Sequence, residues 1–283
     1  MVETKQMEGN IASLIRSFHP SLTKSEQKVA DTVLKDLESV LYYSVTDLAD
    51  HAEVGETTAL RFCRKIGFKG YQEFKLAIAK TVSSHHYHAD KDTKPQGMSE
   101  SIAQYTKEAI DETFQMINKK VLEKCLHEIN KAKRLYFFGV GTSGLTALDA
   151  KSRLIRMGVQ SDALIDPHMQ AMVAATLGKE DVVIGISVSG STKDTLDSLA
   201  IAKKNKATII AITYYARSPI TNLADYVLLS GGKESPLEGG SLSAKICQLY
   251  VIDLLCTGLA LKNKGKALKM KELTAQSVVD KIY

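Results

Sequence analysis

The chain has 283 residues, 44% of them apolar, with a net charge of +5, so it suits two domains with a sizeable core and neither demands nor forbids nucleic acid. Cys63, Cys125, Cys247 and Cys256 are scattered with no C-x-x-C pair, which argues against a disulfide frame or a zinc site and for reduced core thiols. The first thirty residues lack a basic-then-apolar leader and no run of eighteen apolar residues occurs, so a soluble, cytoplasmic protein with no membrane partner is expected.

In chain order, residues 1–80 read as all-helical. Ile11 to Phe18 has helical spacing of apolar positions. Thr23 and Glu26 stand in capping-box positions, ahead of Val29, Val33, Leu34 and Leu37 on one face. The stretch SVTDLADHAEVGETTALRFCRKIGFKGYQEFK then reads as a helix-turn-helix. Ser44 and Asp47 cap a short helix over Val45 to His51, the small Ala49 permits a close crossing, and Val54–Gly55 supplies the turn. The next helix, about Glu56 to Ile66, is the expected recognition helix. Leu60, Cys63 and Ile66 face inward; Thr57, Thr58, Arg61, Arg64 and Lys65 face outward.

Between Arg61 and Lys80 stand six basic residues (Arg61, Arg64, Lys65, Lys69, Lys75, Lys80) against one acid, Glu73. Arginine and lysine so placed reach guanine edges or phosphates, and hydroxyls suit phosphates. Ser44, Thr57, Thr58, Arg61, Arg64, Lys65 and Lys69 are therefore the candidate contacts to double-stranded operator DNA. The plainer alternative is a helical hairpin with a solvated basic face.

Residues 81–98, TVSSHHYHADKDTKPQGM, lose periodicity and contain Pro95 and Gly97, the pattern of a linker. His85, His86 and His88 there have no cysteine or carboxylate cluster beside them, so no metal is assigned. A long helix over about 99–118 and another from Val121 are predicted next. From Arg134 the runs RLYFFGV, VVIGISV, ATIIAIT and DYVLLS alternate with helical stretches. This predicts, over 99–283, an α/β three-layer domain with a mostly parallel sheet. Leu249 to Leu261 is a continuous apolar helix, expected in the core or on a dimer surface. A last helix is expected to end at Tyr283.

Two strand-to-helix turns carry the chemistry. VVIGISVSGST places Ser187, Ser189, Gly190, Ser191 and Thr192 where a buried strand opens a helix. Free helix N–H groups, hydroxyl donors and a close backbone suit a phosphate monoester. A P-loop lysine is missing, so a magnesium nucleotide is disfavoured and no cofactor is assigned. The alternative is a serine-rich N-cap. FFGVGTSG, with Gly139, Gly141 and Ser143, opens a second helix, over Leu145 to Met157; the dinucleotide fingerprint is not completed. His168 in DPHMQ, after a strand-like stretch, reads equally as crevice lining or as a helix-start residue.

Residues of about 120–262 resemble a sugar isomerase (SIS) domain, a phosphosugar-binding α/β fold, through GVGTSG and SVSGST. The resemblance implies that Ser143, Ser187, Ser189, Ser191 and Thr192 hold the phosphate, with Gly141 and Gly190 in the same loops. It adds Glu234 as a sugar contact and Lys245 as a positive charge. Together with RFCRKIGFKGYQEFK, Arg61 to Lys75, the whole of about 11–262 resembles the RpiR-type bacterial transcription regulators. That family joins such a helix-turn-helix to a SIS domain that senses a phosphorylated sugar, and its dimers bind operators.

Departures are Gly55 in place of a serine N-cap, Ala244–Lys245 in place of Ser-Arg, and Glu238 where a basic residue is frequent. The resemblance implies a regulator of sugar or amino-sugar catabolism, repression being the commoner mode, acting as a homodimer or homotetramer. Candidate effectors are N-acetylmuramic acid 6-phosphate and other amino-sugar or hexose phosphates. The rival is a phosphosugar isomerase or lyase, which needs a base near the sugar C1–C2 protons, with Glu234, Glu238 and His168 as candidates. A third is a basic helical module that docks a protein.

Overall fold

The computed structural model describes residues 11–89, 97–232, 234–237 and 239–281. The chain divides into two compact units, one of residues 1–100 with 233–239, the other of 101–232 with 240–283.

The first unit is helical: α1 (Ile11–Phe18), α2 (Lys24–Lys35), α3 (Leu37–Val40), α4 (Val45–His51), α5 (Glu56–Lys65) and α6 (Tyr71–Ala89), with α7 (Met98–Met116) beginning at its end. Thr23 and Glu26 form the expected capping box. Leu37 does not extend α2, because Asp36 ends that helix and caps α3, its carboxylate accepting from Ser39 N–H at 3.0 Å. Ile15, Val29, Val33, Leu48, Phe62, Cys63, Ile66, Phe74 and Ile78 fill the core. Phe62 and Phe74 meet edge to face at 5.6 Å. Cys63 and Ile66 face inward as predicted; Leu60 is only half-buried, while Ala59 and Phe62 are fully buried.

Helices α4 and α5 end in the same motif with different residues. After α4, Glu53 N–H bonds to Asp50 and Val54 N–H to Ala49; after α5, Gly67 N–H bonds to Arg64 and Phe68 N–H to Cys63. This doubled closure requires a left-handed residue. Gly67 supplies it at φ +103°, but after α4 it is Glu53, at φ +53°. Gly55 is not the left-handed residue of the turn; it is extended, at φ −80°, and is the N-cap of α5, the position in which the resemblance places it.

Helix α6 continues to Ala89, so residues 81–89 are helical where loss of apolar periodicity predicts linker. No glycine or proline interrupts that stretch, and hydrogen bonding tolerates its serines and histidines. The side chains of His85, His86 and His88, and residues 90–96, lie outside the described residues.

The second unit holds most of α7, then α8 (Lys119–Lys131), β1 (Arg134–Phe138), α9 (Gly141–Ile155), β2 (Asp162–Leu164), α10 (Pro167–Ala174), β3 (Asp181–Ile186), α11 (Lys193–Lys204), β4 (Thr208–Thr213), α12 (Pro219–Leu223), β5 (Tyr226–Leu229), α13 (Leu242–Lys262) and α14 (Lys264–Gln276). All four strand pairings are parallel, in the order β2-β1-β3-β4-β5. The four predicted apolar runs are strands; the stretch before DPHMQ is the fifth, a three-residue edge strand.

Alternation along the strands sends Leu135, Phe137, Val182, Ile184, Ile210 and Ile212 to one face, against α8, α9 and α13. Phe138, Val183, Ile209 and Ala211 go to the other, against α10, α11 and α12. Among the described residues α13 alone is long and apolar enough to cross a membrane; it buries Cys247, Val251, Ile252, Leu255 and Leu259 in this core. The four cysteines are buried and free. Burial pushes the thiols of Cys63, Cys125 and Cys256 up to about 12, which keeps them protonated. The last α-helix ends at Gln276, short of the expected Tyr283, which lies outside the described residues.

Candidate functional site

In the first unit, α4 and α5 form the helix-turn-helix. Ser44 is 3% exposed and serves as the N-cap of α4, its hydroxyl accepting from Asp47 N–H at 3.0 Å. The expected capping role of Ser44 is thus seen, and its hydroxyl is engaged there and not presented on the surface. Thr57, Arg61, Arg64, Lys65 and Lys69 are exposed and Thr58 is half-buried. Arg61 donates to the Thr58 hydroxyl at 3.4 Å.

Two of the basic residues are not free surface charge. Lys75 is 5% exposed, and its ammonium donates to the Tyr43 carbonyl at 2.9 Å. Burial pushes it down to about 8, with Asp47 opposing. Five of the six counted cations therefore remain on the surface. Of these, Lys65 is paired with Glu26 at 3.0 Å, a carboxylate that sequence reasoning assigned only to capping. Arg64 makes no ion pair among the described residues.

In the second unit the strand order reverses between β1 and β3: β2 lies on one side of β1, and β3, β4 and β5 on the other. Open parallel sheets bind ligands at the carboxyl ends of the strands flanking such a reversal. The two serine-bearing turns follow these two strands.

Helix α9 begins at Gly141, four residues before the expected start, so Ser143 lies in its first turn. Gly141 is exposed. Ser143 is 8% exposed and accepts from the Gln248 amide at 3.2 Å, while Gln248 accepts from Thr146 at 2.8 Å. Lys245, one turn into α13, donates to the Thr142 carbonyl at 3.1 Å, and burial lowers its pKa.

After β3, the Ser187 and Thr192 hydroxyls bond to each other at 2.9 Å. Ser189 Oγ accepts from Ser191 N–H, and Ser191 Oγ donates to the Ser189 carbonyl, both at 3.2 Å. Gly190 adopts φ +60°, and a Cβ there would lie 2.1 Å from Ser218 Oγ, so only glycine fits. Ser218 is fully buried, its hydroxyl without a hydrogen-bond partner among the described residues.

Thr192 is the N-cap residue of α11 but makes no side-chain cap, because its hydroxyl is turned to Ser187. The N-cap of α9 is Val140, which has no polar side chain to offer. Helices α8, α10 and α13 of the same unit are capped by Asn118, Asp166 and Ser241. The two helix starts at the sheet reversal thus lack a side-chain cap on their backbone N–H groups.

Gln248, Thr146 and Ser218 are the residues the sequence reading missed. Gln248 and Thr146 are polar positions among apolar neighbours and Ser218 lies in a short loop between Arg217 and Pro219, and only the packing shows that they surround the turns. Glu234 is half-buried in the 233–239 segment, outside the unit that carries the serine turns. His168 is exposed in the first turn of α10, after β2, and Glu238 lies outside the described residues. A cavity of about 330 Å³ lined by Lys133, Met157, Gln160 and Asn263 lies at the amino ends of the strands, away from the turns. The described residues contain no cluster of metal-binding side chains.

Fold and sites define a two-module protein, a helix-turn-helix joined to a parallel-sheet ligand domain. A model of the helix-turn-helix domain of the rpiR family matches residues 9–85, and a SIS domain model matches 128–258. An uncharacterized HTH-type transcriptional regulator of Haemophilus influenzae is 40% identical over 280 residues, 96% of this chain and 97% of its own. A second, from Caldanaerobacter subterraneus, is 33% identical over 271 residues, 94% and 96% of the two chains. The structure of the Vibrio vulnificus NanR protein complexed with ManNAc-6P matches 97% of this chain and 100% of its own, with a TM-score of 0.89 at 27% identity. The chain belongs to the rpiR family of HTH-type transcriptional regulators carrying a SIS domain.

Proposed function

We propose that this regulator is controlled by a phosphorylated sugar whose phosphate sits between the α9 and α11 starts. The observation that carries this is the pair of uncapped helix N-termini, with their serine hydroxyls, on either side of the sheet reversal. On arrival of a dianion, Ser187 and Thr192 exchange their mutual bond for charge-assisted ones, which are about twice as strong. Lys245 adds a cation beside Thr142. The likeness to NanR solved with ManNAc-6P supports an amino-sugar phosphate as effector.

A homodimer presents two α5 helices to the major grooves of a palindromic operator, in the cytoplasm, with Thr57, Arg61, Arg64 and Lys69 as contacts. The effector shifts the equilibrium between operator-competent and incompetent states only by its difference in affinity for them. Repression is the mode we assign. The working division is residues 1–80 for DNA and 99–283 for the effector. An isomerase on this fold needs a placed base, and the helix-turn-helix favours the regulator over the enzyme.

The test is thermal unfolding with a panel of sugar phosphates, each beside its unphosphorylated parent. A cognate effector at a hundred times its Kd stabilises by about 2.7 kcal/mol. Only the phosphorylated form is expected to do so; a sugar that shifts unfolding equally without its phosphate refutes the phosphate site.

A further inference from the structure

The basic residues of α5 are divided into different roles by a single carboxylate on another helix. Glu26, at the third position of α2, is 4% exposed. Its Oε2 accepts from Thr23 N–H at 2.8 Å and from Lys65 Nζ at 3.0 Å, and its Oε1 lies 3.9 Å from Arg61 Nε. Arg61 and Lys65 are one turn apart on the same face of α5. The Thr23 N–H first, and Lys65 after it, hold the Glu26 carboxyl below the usual range, so it stays charged at neutral pH. A buried carboxylate is costly unless paired, which makes it a firm tether. Arg64, between its two partners in sequence, is exposed and outside the tether.

We propose that Glu26 is a positioning residue for DNA recognition: it holds Lys65 against α2, off the phosphates, and sets the direction of Arg61, so that the two arginines meet the duplex. This rests on the reading that α5 contacts DNA. The consequence is selectivity. A loose ammonium finds any phosphate whatever the sequence, whereas an arginine fork fixed in direction discriminates base edges. Tethering Lys65 removes sequence-blind attraction, and steadying Arg61 keeps the readout.

The test measures binding of the full chain, across salt concentrations, to a duplex that the wild-type protein selects from a random pool and to a scrambled duplex of equal length. Glu26→Gln retains a side-chain oxygen to accept from Thr23 N–H in the capping box and removes the charge. Its expected effects are a rise of about three- to tenfold in affinity for the scrambled duplex, a salt slope steeper by about one, and a lower selected-to-scrambled ratio. Lys65→Gln alone is expected to leave the wild-type slope unchanged, and in the Glu26→Gln background to restore it.

A folded Glu26→Gln protein with unaltered ratio and slope overturns the proposal. So does a Lys65→Gln protein whose slope flattens by about one, since Lys65 then touches phosphate in the native protein. The second result does not depend on Glu26→Gln folding, because Lys65 is a surface side chain, 37% exposed. Arg64→Ala separates the two readings: unchanged affinity for both duplexes removes α5 from the DNA and the role of Glu26 with it. A loss at Arg64 beside silent Glu26 and Lys65 variants leaves DNA contact standing and refutes only the positioning role.

Discussion

Two helix starts of the helix-turn-helix unit and two of the sheet unit are handled in opposite ways. In the helix-turn-helix unit, the starts of α2 and α4 are closed by reciprocal capping boxes, and the hydroxyls of Thr23 and Ser44 are consumed in them. In the sheet unit, the starts of α9 and α11 have no side-chain cap although serine and threonine stand within reach. The difference teaches that hydroxyl content at a helix start does not reveal its purpose. A capped start is closed to ligands and adds stability; at the uncapped starts the nearby hydroxyls bond to one another or to a neighbouring side chain or backbone group, and the helix N–H groups have no side-chain cap.

Substitutions sharpen that contrast. The largest effect is expected from Ser189→Ala with Thr192→Ala: two bonds to a charged phosphate are lost, about 3 kcal/mol or more in effector affinity. DNA binding without effector should survive, and calorimetric titration of sugar phosphate against both proteins checks it.

Next comes Lys75, whose folded pKa of about 8 lies below its ordinary value. The unfolded chain then binds more protons between pH 8 and about 10.5, so stability rises with pH across that window, by up to about 3 kcal/mol. Denaturant melts of the wild type and Lys75→Met at pH 7, 9 and 10.5 should show a gain that the variant lacks. A Lys75→Met protein with the same rise attributes it to other groups.

Ser44→Ala should cost about 1 kcal/mol of stability while the folded protein keeps its DNA affinity. Thr192→Val should do the reverse, sparing stability and lowering effector affinity. If Thr192→Val is instead the destabilising one, the contrast between capped and open starts collapses. The smallest effect is at Glu53, left-handed where the matching position after α5 is Gly67. Glu53→Gly relieves that strain and loses only an exposed pair with Lys28, 3.2 Å away, for a net gain of about 0.5 kcal/mol. Equilibrium denaturation reads it directly.

Much of this was legible from residues alone, because the signals are local. Capping at Thr23 and Ser44, the period of α1 and α4, and the fully apolar runs that became β1, β3, β4 and β5 depend on neighbours within a turn or on alternation along a strand. The serine turns were legible for the same reason: a buried strand running into glycine and hydroxyls is a local pattern. Edge strand β2 was hardly visible, since three residues carry little periodicity.

Tertiary structure decided what depends on distant residues. Whether Lys75 faces solvent or Tyr43, whether Lys65 is free or held by Glu26, 39 residues away, and whether Thr192 caps its helix or turns to Ser187 are settled by packing. The order β2-β1-β3-β4-β5, which brings the two serine turns to one reversal, follows from how the strands pair. Composition fixes which groups a chain carries; burial and pairing fix which of them remain available, because a buried polar group must find a partner wherever the fold provides one.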